Sequence, residues 1–114
     1  MEKVKRYKEI IKLTINEVAG LNPDSNDDTV TNQIIFDENN SNYLLVMNGW
    51  MGESRFYGII IHIEVKDNGR VWLHQDNTDL IIVDRLLEKG IPKEDIVLGF
   101  HAPIMRPDTD FAVA

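Results

Sequence analysis

The chain predicts one α+β domain: an N-terminal helix, a four-stranded antiparallel β-meander, a second helix and an extended C-terminal segment packed on the sheet. Three observations predict it. Apolar residues recur at three- and four-residue spacing over 2–20 and again over 79–89, while between them Tyr57, Ile59, Ile61, Ile63 and Val65 alternate every second residue. Asp67-Asn68-Gly69 joins two of those alternating runs, as a hairpin turn would. The segment from Ile91 to Ala114 is apolar, holds Phe100, His101 and Phe111, and is punctuated by Pro92, Pro103 and Pro107. Terminal segments are usually polar and frayed, so this one is expected to be packed down.

The first helix carries its stripe on Val4, Tyr7, Ile11, Thr14 or Ile15, and Val18. Gly20 is a plausible stop, and Asn22-Pro23 forbids continuation. From Asn22 to Thr29 the sequence is polar and acidic and reads as a loop. Strands are expected at Thr31–Asp37, Tyr43–Trp50, Ser54–Lys66 and Arg70–Asp76. In the third, Tyr57, Ile59, Ile61, Ile63 and Val65 share one face, which should lie under the helices with Val71 and Leu73. A type I turn with Gly69 in the left-handed bulge position pairs Lys66 with Arg70 and Ile63 with Leu73, and sets His62 opposite His74. A two-residue turn would slip the register by one and mix core with surface. Asn77 or Thr78 caps the second helix, Asp79–Lys89, whose stripe is Leu80, Val83, Leu86 and Leu87, and Gly90 ends it. Pro92 to Asp95 forms a turn, and Ile96-Val97-Leu98 a short strand or extended piece.

A chain of 114 residues is long enough for one core and too short for two, so residues 1–114 form a single domain. It holds no cysteine, which removes disulfides and thiolate chemistry and fits a reducing cytoplasm. No signal peptide and no run of about 20 apolar residues is present, so a cytoplasmic protein without membrane contact is expected. The net charge of −7, from 12 Lys and Arg against 19 Asp and Glu, opposes unaided DNA binding, which needs clustered positive charge. The imbalance is uneven: residues 1–12 hold five bases against two acids, +3, leaving −10 for the remainder. Lys3, Lys5, Lys8 and Lys12 are therefore the DNA-contact candidates of an alternative reading, although a charged helical face is most often a solvated one.

Chemistry is weakly signalled. His62, His74 and Asp76 on one sheet face would make a sensible zinc or iron shell, but the spacing motif is absent, and neither a metal nor a cofactor is expected. Asp24 to Asp28 resembles a calcium loop in composition alone. Gly49 and Gly52 flank Trp50-Met51 as a hairpin device rather than a phosphate cradle. No enzyme pattern survives, so no catalytic residue is assigned. Aromatics are more telling. Trp50, Trp72, Phe100, His101, Arg106 and Phe111 are the candidate residues for a partner or oligomer interface, where aromatics and arginine concentrate. Cover by the chain's own tail is the competing fate of Trp72.

Certain blocks carry a resemblance. They are Tyr7-Lys8-Glu9-Ile10-Ile11, Ile35-Phe36-Asp37, Gly49-Trp50, Tyr57-Gly58, Ile61-His62-Ile63, Val71-Trp72 and Gln75-Asp76. A long closing block follows from Pro92 to Pro103, with Arg106, Thr109 and Phe111-Ala112-Val113-Ala114. On these the chain resembles, nearly end to end, the XisI family, the fdxN element excision controlling factor of heterocyst-forming cyanobacteria. The resemblance implies a non-catalytic role in programmed excision of a DNA element during heterocyst differentiation, alongside a recombinase and a XisH-like partner protein. It carries over no catalytic residue. It leaves a homo-oligomer that binds its partner through protein contacts as the expected mode of action.

Overall fold

The computed structural model describes residues 2–21, 30–78 and 80–114. Helix α1 (Glu2–Leu21) buries Tyr7, Ile11, Ile15 and Val18, each worth about 1.5–3 kcal/mol when fully removed from water. Thr14 is buried among them, and its hydroxyl donates to the Ile10 carbonyl at 2.8 Å, which removes the penalty of an unpaired polar group. The acidic loop from Asn22 to Thr29 and the expected helix start at Asp79 lie outside the described residues.

Strands β1 (Val30–Asp37), β2 (Asn42–Met51), β3 (Ser54–Val65), β4 (Val71–Asp76) and β5 (Ile96–Leu98) form one sheet in sequence order. The first four make the expected antiparallel meander. The fifth corrects it: Ile96–Leu98 pairs in parallel with β4, so the sheet is five-stranded and mixed. Helix α2 (Ile82–Glu88) provides the crossover that a parallel pair requires. It begins later than the sequence suggests, and neither Asn77 nor Thr78 caps it. Asp76 does so from the end of β4, its Oδ2 accepting the Ile82 amide at 3.0 Å. At the other end Ile91 N–H donates to Leu86 and Gly90 N–H to Leu87, with Gly90 at φ 107°, a Schellman closure.

The β3–β4 turn is the bulged one, with Gly69 at φ 86° and the Lys66 amide on the Arg70 carbonyl. Val65 therefore pairs with Val71 and Ile63 with Leu73, as expected. Two β-bulges then change the picture. Between β2 and β3, Leu45 pairs with Ile61 but Val46 with Ile59, so Ile60 is an extra residue and the alternation of β3 inverts beyond it. Ile61, Ile63, Val65, Val71 and Leu73 lie buried under the helices, whereas Tyr57 and Ile59 are exposed on the opposite side, where Ile59 pairs with buried Val46. The bulge is held by β4, because Asn77 N–H donates to the Ile60 carbonyl at 2.8 Å and the Gln75 amide donates to Ile59 O. The second bulge makes His74 extra, so His62 pairs with Gln75 rather than His74.

Both helices pack on one side of the sheet around a core of Tyr7, Ile11, Tyr43, Ile61, Ile82 and Leu86. The other side carries neither α1 nor α2. Among the described residues it is crossed at the β4–β5 end, by the C-terminal segment. That segment is less extended than expected: Pro103–Asp108 coils into a 3-10 turn, favoured by Pro103 at its start. It returns along the outer edge of β5, where Ala112 N–H donates to the Ile96 carbonyl at 2.8 Å and Ala112 bridges Val97 in parallel.

Candidate functional site

The helix-free side of the sheet divides into an open apolar part and a strapped polar part. Its open part is made by the Ile60 bulge, which turns Tyr57 and Ile59 out beside Val46, Trp50 and Ile35. Tyr57 is 72% exposed, Trp50 50%, Ile35 46% and Ile59 42%. Arg55 lies between the two rings, 5.2 Å from the Trp50 centroid and 5.3 Å from Tyr57, and donates to the Gly49 carbonyl at 3.2 Å. Such stacking holds both aromatics in place and leaves their outer faces bare. A contiguous apolar surface of this kind on a small domain marks a contact site rather than a solvated one.

The strapped part begins where Gly99 closes on β4. Its amide donates to the Leu73 carbonyl at 2.9 Å, and a Cβ there would lie 3.1 Å from His74 Nδ1 and 3.3 Å from Trp72 Cε3. Arg106 then stacks 5.0 Å over Trp72, with its Nε donating to the His101 carbonyl at 3.1 Å, and Lys66 approaches the same ring at 5.6 Å. The tail thus lies over Trp72, which it leaves half-buried. Phe111 packs against the core, while Phe100 and His101 stack on each other in solvent, centroids 4.8 Å apart. Of the candidate interface residues, Trp50 and Phe100 present large free surfaces.

His62 and His74 meet, with ring centroids 4.7 Å apart, although the bulge offsets their strands. His62 Nε2 sits 2.8 Å from Asn42 Oδ1, and His74 Nε2 2.9 Å from Glu64 Oε1. Burial and the neighbouring His74 push the His62 imidazole below its ordinary range, with Glu64 opposing. Burial raises the Glu64 carboxyl, but hydrogen bonds from His74 and Lys66 outweigh it and hold it low. Asp76 does not join them. It lies on the helix side, paired with Ile61, and is consumed by Thr78 and Ile82. Among the described residues no three His, Asp or Glu side chains converge as a metal shell would.

Sequence reasoning missed a second knot at the β4–β5 end. Buried Asp95 accepts the Tyr7 hydroxyl at 2.5 Å, Lys3 Nζ at 2.9 Å and an Arg70 guanidinium nitrogen at 3.0 Å. Arg70 Nε also donates to the main-chain oxygen of Ala114 at 3.1 Å. Burial opposes the Asp95 charge, but Tyr7, Lys3 and Arg70 win and hold its carboxyl below the usual range. Burial and Asp95 together push the Tyr7 phenol up to about 12. The one available signal was a tyrosine on an otherwise aliphatic stripe, whose hydroxyl must find a partner when buried. This knot absorbs Lys3. Lys12 is absorbed likewise, 2.9 Å from Glu9 and 3.2 Å from Glu38. Of the DNA-contact candidates, Lys5 and Lys8 form no ion pair among the described residues.

Residues 1–113 match the family model described as XisI protein. The chain belongs to the XisI family. Among solved structures it is similar to the fdxN element excision controlling factor XisI of Anabaena variabilis, at 39% identity and TM-score 0.83, covering 98% of this chain and 99% of that one. A XisI-like protein of the same organism is similar at 38% identity and TM-score 0.88, over 97% and 99% of the two chains. No curated protein matches the chain. In this XisI-family member, the closing block from Pro92 onward builds both the Asp95 knot and the strap over Trp72. No helix among the described residues is long and apolar enough to cross a membrane.

Proposed function

We propose that this XisI-family chain is a cytoplasmic, non-catalytic controlling factor for programmed DNA-element excision, of the fdxN type in heterocyst differentiation, and that it acts by binding a XisH-like protein. The name of the Anabaena relative supports the role in excision control. The observation that supports the mode is the open side of the sheet, where Tyr57, Trp50 and Ile59 stand exposed around a clamped Arg55. Rigid aromatics with an arginine between them are what contact energetics favour at the centre of an interface.

The test is the mass in solution of the protein mixed with its XisH-like partner. A shared peak of defined stoichiometry, weakened by a Tyr57→Ala, Ile59→Ala double variant, is the expected result. Two separate peaks would remove the reading. The alternative is direct DNA contact through α1. It is left with Lys5 and Lys8, and it predicts duplex affinity that falls steeply with salt and disappears on charge reversal at both. Failure of a duplex to bind at low salt would remove that alternative.

A further inference from the structure

The sheet has two edges, and the fold treats them differently. The β5 edge is three residues long and is covered by the Ala112 bridge to Val97. The β1 edge is eight residues long, and among the described residues no strand pairs with its outer side. Natural edges are blunted by lysine, proline, inward-pointing charge or a bulge. Residues 30–36 hold no ionisable side chain and no proline, and β1 meets β2 without a bulge. In its middle, Gln33, Ile34 and Ile35 are exposed in succession. Ile34 pairs with buried Leu45 and so stands on the helix side, while Ile35 stands on the open side; each face of this edge carries an exposed isoleucine.

From this edge we infer that β1 is a self-pairing strand: it joins antiparallel to β1 of a second copy and continues the sheet from one chain into the other. The charge distribution selects that occupant. Two copies of a chain at −7 repel wherever acid meets acid, and a two-fold contact always brings a surface against itself. The uncharged run 30–36 avoids this. A two-fold axis normal to the sheet keeps like faces together, so partners share parity. Centred on Ile34, it sets Ile34 against Ile34 of the second copy and Asp37 against Thr31. Centred on Ile35, it sets Ile35 against Ile35, Ile34 against Phe36, and Asp37 against Gln33. In neither register does carboxylate face carboxylate, and in both an isoleucine pair forms on the axis, the kind of cross-strand contact that stabilises a sheet. Pairing uses the backbone edge of β1 and shares Ile35 alone of the residues named on the Tyr57 and Trp50 face, so the proposal does not rest on partner binding there.

The test is the mass of the full chain by light scattering, for the parent and for Ile35→Lys, Gln33→Lys and Tyr57→Ala. The parent and Tyr57→Ala should have twice the mass of one chain, and both lysine variants half of that with unchanged circular dichroism. Amide exchange at residues 33–37 should slow as parent concentration rises. A parent of single-chain mass would overturn the inference. So would lysine variants that keep the doubled mass, or a doubled mass lost only in Tyr57→Ala. If a lysine variant fails to fold, concentration-dependent exchange in the parent decides alone: none at 33–37 sinks the idea. An Ile34→Lys variant, changed on the helix side of β1 and so away from the open apolar surface, should likewise have single-chain mass and still bind a XisH-like partner, which separates this test from the previous one.

Discussion

At the scale of single residues, Asp95 does more than any other polar side chain. It satisfies a buried phenol and fastens α1 and the β3–β4 turn to one point, from which Arg70 reaches on to residue 114. Tyr7→Phe removes one hydrogen bond while leaving Lys3 and Arg70 in place, and should cost about 1 kcal/mol. Asp95→Ala strands the Tyr7 hydroxyl without an acceptor and should cost about 2–3 kcal/mol. Urea denaturation of both variants checks the ranking; equal losses would mean that the stranded hydroxyl and the two ion pairs add nothing beyond the Tyr7–Asp95 bond. His62 sets a pH dependence. Its folded pKa is depressed, so the unfolded chain takes up protons first as pH falls, and stability drops once pH goes below the ordinary histidine value of about 6.5. Denaturation midpoints measured between about pH 7 and 5 should fall in the parent and flatten in His62→Asn.

At the scale of elements, local signals were legible and long-range ones were not. The α1 stripe, the Gly69 turn and the Gly90 stop are set within a few residues, and the sequence shows them directly. The Ile60 bulge is fixed by Gln75 and Asn77 on another strand, so an unbroken run from Tyr57 to Val65 gave no warning that its first half faces the other way. Asp76 misled for a related reason: alternation put it beside the histidines, but the His74 bulge moved it across the sheet to serve α2. Asp76→Ala should therefore lower stability by about 1 kcal/mol, as loss of a helix cap does, and leave metal content unchanged. The strap makes its own prediction. Arg106→Ala uncovers Trp72, so its emission should shift to the red and its quenching by iodide should rise, with secondary structure intact. An unchanged spectrum would mean that Gly99 and its neighbours seal the ring without the guanidinium.

At the scale of the whole molecule, the chain is elongated. Its radius of gyration is 14.9 Å, against about 13 Å for a compact chain of this length, and its extents are 43 × 31 × 25 Å. Its longest strands are β2 and β3, of 10 and 12 residues. Small-angle scattering of a single-chain Ile35→Lys variant should return a radius close to the monomer value, and the parent a clearly larger one. Family membership was legible because the closing block is long and specific. What that block does physically was not, since its bonds to β4 and α1 join residues as far apart as Tyr7 and Asp95.

The Ala112 bridge along β5 has a consequence best put in the language of polymers. A sheet with two bare edges is a bifunctional monomer, and copies of it add without limit into a fibre. Here one end of the sheet is already occupied by the chain's own residues, so each copy has a single reactive end. Addition then terminates after one step. The strap works as a chain stopper, and loosening it would change the product of association from a closed pair to an open-ended filament.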